Sequence, residues 1–69
     1  MKLKSYGYGE LAQLYFPNSS PHSATNQLRR WLAMPPLCDR LAEVGFRKGQ
    51  RLLTPRQVQV IVDELGEPI

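Results

Sequence analysis

Four stretches of the chain place apolar residues at helical spacing, and one stretch breaks that spacing. In the first, Leu11, Leu14 and Tyr15 share a face, with Ala12 beside them. That is the pattern of a helix with one buried stripe. Gly7 is placed to cap this helix, and Glu10 falls at the third helical position, where a carboxylate meets unpaired backbone N–H groups. Pro17 ends it, because the residue before a proline is pushed out of the α region. The second stretch opens on Ser20-Pro21, a serine cap followed by a proline whose missing N–H has no helical partner to lose. Ala24, Leu28, Trp31 and Leu32 then recur at i, i+4, i+7 and i+8 and predict a helix over 21–34. Leu37, Leu41 and Val44 make a third helix after Pro35-Pro36, stopped by Gly45. The last helix has Thr54 as its cap, Pro55 at its first position and Gln57 completing a capping box. Leu53 and Val58 sit where a hydrophobic staple forms. Val58, Ile61, Val62 and Leu65 are its expected buried face, and Gly66 and Pro68 close it. Val60 lies off that stripe and is expected to point outward.

Residues 46–53 do not follow a helical period. Lys48-Gly49 offers a tight turn between Phe46-Arg47 and Arg51-Leu52-Leu53, which predicts a short hairpin leaning on the helices. The expected fold is mainly α with a small β-hairpin and about four helices, in a single domain over 1–69. With 69 residues the core is small, and each large apolar side chain counts.

Composition removes several classes of function. The chain has one cysteine, Cys38, and one histidine, His22, so neither an internal disulfide nor a structural zinc set is expected. This fits a reducing, cytoplasmic setting. No apolar run is long enough to cross a bilayer, and the N-terminus lacks the apolar region of a signal peptide. No serine, threonine or cysteine is placed with a base, and there is no Gly-rich phosphate loop or inward carboxylate pair. A non-enzymatic protein is expected, without metal, cofactor or small-molecule substrate. Trp31 is expected in the core, and Tyr6, Tyr8 and Tyr15 are expected to pack around the first helix. Cys38 reads as a buried or half-buried thiol.

Charge adds direction. The formal net charge is +3. Between Val44 and Val62 there is no acidic residue, while Arg47, Lys48, Arg51 and Arg56 all fall there. Asp63, Glu64 and Glu67 collect near the C-terminus, so one basic surface suited to a polyanion is expected. The polar face of the second helix carries His22, Asn26, Arg29 and Arg30, with Thr25 and Gln27 at its margins. Asn26 and Arg29 are three apart and share a face; asparagine can read adenine and arginine guanine. Arg30 lies nearer the side and suits a phosphate, as does His22 when protonated. Arg47, Lys48 and Arg51 are the candidates for backbone phosphates. The plainer alternatives are a solvated helix face, a histidine without a role and a hairpin kept soluble by charge.

The turn at 17–20 between two short helices, followed later by a basic hairpin, is the order of a winged helix-turn-helix. Gly7-Tyr8-Gly9-Glu10-Leu11-Ala12-Gln13-Leu14 resembles the opening of MerR and excisionase-like domains. Leu28-Arg29-Arg30-Trp31 resembles the end of their recognition helix, and Arg51-Leu52-Leu53-Thr54-Pro55-Arg56-Gln57-Val58 their wing-to-helix junction. Residues 35–45 depart from that pattern by inserting a helix between recognition helix and wing. Over residues 4–68 the chain is also similar to a domain-of-unknown-function family of short bacterial proteins. That likeness is carried by Ser5-Tyr6-Gly7, Glu10-Leu11-Ala12, Tyr15-Phe16-Pro17, Leu28-Arg29-Arg30-Trp31, Leu53-Thr54-Pro55-Arg56-Gln57-Val58 and Leu65-Gly66. The resemblance implies a winged helix-turn-helix variant. The expected function is a small double-stranded-DNA-binding protein, excisionase-like or an accessory transcriptional regulator, acting as a homodimer or a cooperative assembly on DNA. Helix 21–34 would enter the major groove, and hairpin 46–53 would lie on the backbone. The alternative is a protein-interaction module on the same fold, using an apolar patch of Leu52, Val60 and Ile69. RNA binding ranks behind both, since no RNA-binding module is recognisable.

Overall fold

The computed structural model describes residues 2–47 and 49–68. Among them the order of elements is β1 (Tyr6–Gly7), α1 (Tyr8–Tyr15), α2 (Pro21–Leu32), α3 (Leu37–Glu43), β2 (Leu52–Leu53) and α4 (Pro55–Leu65). The fold is mainly helical with one small antiparallel sheet.

Each helix begins where its local chemistry dictates. Gly7 caps α1, and the Glu10 carboxylate accepts the Gly7 N–H at 3.2 Å. Ser20 Oγ accepts from the Ser23 N–H at 3.3 Å, with Pro21 at the first position of α2. At α4 the capping box is complete: Thr54 Oγ1 accepts from the Gln57 N–H at 3.2 Å, and Gln57 Oε1 accepts from the Thr54 N–H at 3.1 Å. A cap of this kind is worth about 1 kcal/mol. Helix α2 ends at Leu32, two residues before the expected Met34, and Ala33 to Pro36 turn the chain into α3.

The core gathers Leu11 and Ala12 of α1, Ala24, Leu28 and Leu32 of α2, Leu37 and Leu41 of α3, and Val58 and Ile61 of α4, with Tyr6 and Leu53 from the sheet. Helix α1 packs on α2, and α3 packs on α4. The Tyr15 hydroxyl donates to the Gly66 carbonyl at 2.7 Å, tying the end of α1 to the end of α4. Burial of the phenol, and then the nearby Glu67 carboxylate, push the Tyr15 pKa up.

Three expectations are corrected. The hairpin over 46–53 is not formed: β2 pairs with β1, Tyr6 opposite Leu53 and Gly7 opposite Leu52. Residues 46 and 47 are not strand, and the Gln50 N–H instead donates to the Arg47 carbonyl at 3.1 Å, closing a turn. The strand therefore satisfies its backbone groups at the other end of the chain, on a partner whose Tyr6 side chain belongs to the core. Val60 is buried, at 8% exposure. Gln57, Val60 and Glu64 form one stripe on α4, and α3 covers both of its ends: Gln57 Nε2 donates to the Val44 carbonyl at 3.2 Å, and Arg40 pairs with Glu64. The helix inserted at 37–43 thus buries a residue that the α4 pattern alone turns outward. Trp31 sits at the rim of the core rather than inside it, 37% exposed. Its ring meets Phe16 edge to face, with centroids 4.8 Å apart, and Tyr15 at 6.4 Å.

Candidate nucleic-acid interface

Helix α2 carries the polar face that its sequence sets out. His22, Asn26, Arg29 and Arg30 are all exposed, opposite the buried Ala24, Leu28 and Leu32. The Asn26 amide nitrogen lies 3.2 Å from His22 Nε2. This contact orients the Asn26 carboxamide against the imidazole. On the other margin, Thr25 Oγ1 donates to the Pro21 carbonyl at 2.8 Å and faces its own helix.

Arg29 is the best-placed cation. Its guanidinium lies over the Tyr8 ring, 5.5 Å from the centroid. Such stacking holds the side chain extended while keeping its N–H edges available. Burial pushes the Tyr8 phenol pKa up, and the neighbouring Arg29 charge opposes that shift. Tyr8 also meets Phe46 edge to face at 6.4 Å. Between these rings and the end of α2 opens a groove of about 980 Å³, with Leu32 and Ala33 in its wall. Arg29 lines it from α2, and Arg51, with Gly49 and Gln50, lines it from the loop before β2. No carboxylate lines the groove among the described residues.

The loop that brings Arg51 there is held from below. Gln50 Oε1 accepts from the Arg47 N–H at 3.0 Å, and Gln50 Nε2 donates to the Leu52 carbonyl at 2.6 Å and to Gln57 Oε1 at 2.5 Å. Gln57 is 2% exposed and has every polar atom engaged. This pair of glutamines joins the cap of α4, the end of α3 and the basic loop.

The sequence-derived site residues therefore divide. Arg29 and Arg51 share the groove, and His22 and Asn26 share a hydrogen bond beside it. Arg30 is exposed on the next position round α2, away from the groove wall. Arg47 is exposed in the loop but does not line the groove. Lys48 lies outside the described residues. Among the described residues the cation held in salt bridges is Arg40, between Asp63 and Glu64. Among the described residues, Arg29, Arg30, Arg47 and Arg51 form no salt bridge. Tyr8, Phe46, Gln50 and Gln57 shape the site without having stood out as functional: Tyr8 reads as packing, Phe46 as part of the expected hairpin, and Gln57 as a cap alone. Cys38 is half-buried, its Sγ 3.8 Å from Asp39 Oδ1.

A family model described as a domain of unknown function, DUF4248, matches residues 2–68. The chain belongs to the DUF4248 family. No curated protein and no solved structure matches it. In this DUF4248 chain no helix among the described residues is long and apolar enough to cross a membrane, and no group of three or more potential metal-ligating side chains gathers there.

Proposed function

We propose that the protein is a non-enzymatic binder of double-stranded DNA, built as a variant of the winged helix-turn-helix. Helix α2 enters the major groove, with Asn26 and Arg29 at base edges, and Arg30 and His22 meet phosphates. The loop at 45–51 takes the place of a wing and sets Arg47, Lys48 and Arg51 on the backbone. The observation that carries this reading is the meeting of Arg29 and Arg51, from two distant segments, at one groove that no carboxylate lines among the described residues. The MerR- and excisionase-like pattern of residues 7–14, 28–31 and 51–58 supports it. A single domain of this size buries too little surface for tight specific binding, so two copies or a cooperative row on DNA are expected.

A protein-interaction role has one observation in its favour. Trp31 and Met34, 37% and 58% exposed, form with Pro35, Pro36 and Leu65 a shallow apolar depression at the far side of α2. It replaces the patch expected at Leu52, Val60 and Ile69: Val60 is buried, and Ile69 lies outside the described residues.

Fluorescence anisotropy with a random-sequence duplex separates the two. With Arg30, Arg47, Lys48 and Arg51 on phosphates the log–log salt slope is about −3.6, so affinity falls roughly a hundredfold between about 50 and 200 mM salt. Folded protein that binds no duplex at low salt contradicts the DNA reading. A salt-insensitive complex with a protein partner favours the other.

A further inference from the structure

The groove between α2 and the basic loop has features that a DNA backbone does not require. Its volume, about 980 Å³, is at the upper end of small-molecule sites. Its lining sets Leu32, Ala33 and the Tyr8–Phe46 pair, whose T-shaped contact at 6.4 Å presents a ring face beside a ring edge, next to Thr25 and Cys38. Arg29 and Arg51 are the cations that line it among the described residues. A phosphodiester backbone would use these cations and leave the aromatic lining in water.

We infer that this groove is a binding site for a small aromatic anion: a planar ring system bearing a carboxylate, sulfonate or phosphate. The ring body packs on Tyr8 and Phe46 and displaces water from the apolar lining. The anionic group takes the guanidinium of Arg29, which stacking on Tyr8 already holds in place, and that of Arg51 across the opening. With no carboxylate among the described lining residues the groove selects against cations, and its apolar and aromatic lining selects against inorganic phosphate alone. Because the same two guanidiniums serve the proposed DNA face, an occupied groove keeps DNA away from them. That consequence rests on the DNA reading; the site itself does not.

The full chain titrated with anilinonaphthalene sulfonate, an aromatic body with one sulfonate, tests the site by backbone-amide NMR shifts. Saturable shifts are expected at Gly9, Ala33, Gly49 and Arg51, with Leu65 and the Met34 depression unmoved. R29A and R51A each weaken binding about tenfold, the loss of one charge-assisted hydrogen bond at a partly exposed site. Phenylnaphthylamine, which has the rings without the sulfonate, binds at least as much more weakly. Shifts centred on Met34 and Leu65, unchanged affinity in both arginine variants, or equal binding of the neutral compound would each overturn the assignment. So would shifts produced by an acidic aromatic peptide and not by the dye. No DNA is present in this titration, so its failure leaves the duplex measurement standing, and the reverse.

Discussion

Leu28→Ala removes most of the fold's stability. Leu28 is fully buried at the middle of α2, in the cluster that joins α2 to α1 and the other helices. Truncating such a leucine costs about 3 kcal/mol or more, because the cavity adds to the lost transfer energy. A core in a chain this short rarely supplies more than about 3–5 kcal/mol. A thermal melt followed by circular dichroism should show the transition lowered by roughly 15 °C or lost, at about 4–8 °C per kcal/mol. A fall of only a few degrees would mean that the α1–α2 contact is not the centre of the core.

Gln57→Ala produces the second largest loss, and one that a surface glutamine would not. It removes the acceptor of the Thr54 N–H and of Gln50 Nε2 and the donor to the Val44 carbonyl. An unpartnered buried group costs about 1–3 kcal/mol; these backbone groups are part-buried, so about 2 kcal/mol in all is expected. Hydrogen exchange gives the finer test. Amides of Gln50, Leu52 and the first turn of α4 should lose protection together, while those in the middle of α2 follow only the global stability. Protection lost evenly along the chain would contradict the role given to Gln57 in holding the basic loop.

What was legible in the chain follows the range of the interactions. Caps act over three or four residues, and Ser20-Pro21 and Thr54-Pro55 with Gln57 mark helix starts that the structure reproduces. The apolar stripes of α1 and α3 also carry through, and that of α2 does so except at Trp31, because each meets the core along one face. The strand pairing did not carry through. Lys48-Gly49 has the chemistry of a hairpin turn, but Leu52–Leu53 finds its partner at Tyr6–Gly7, and no local signal records that distant choice. Val60 was misplaced for the same reason: its stripe is covered by a helix that lies earlier in the chain. Gln57 was legible as a cap, whereas its second face, toward Val44 and Gln50, appears only when three segments meet. Of the candidate site, the polar face of α2 follows from periodicity alone. Its junction with Arg51 depends on how the loop is folded back and could not be read from spacing.

The central claim is that the face shared by α2 and the basic loop contacts DNA, and matched single-charge variants test it most directly. Arg29→Ala, Arg51→Ala and Arg40→Ala each remove one positive charge. Arg40, however, is already neutralised by Asp63 and Glu64 on α4. Anisotropy with one duplex at low salt is expected to show Arg29→Ala and Arg51→Ala weakened about tenfold each, a loss of roughly 1–2 kcal/mol per contact, with Arg40→Ala within about twofold of the parent by the small worth of exposed ion pairs. Three equal losses, or a loss confined to Arg40→Ala, would show that DNA senses net charge or another face and would contradict the account.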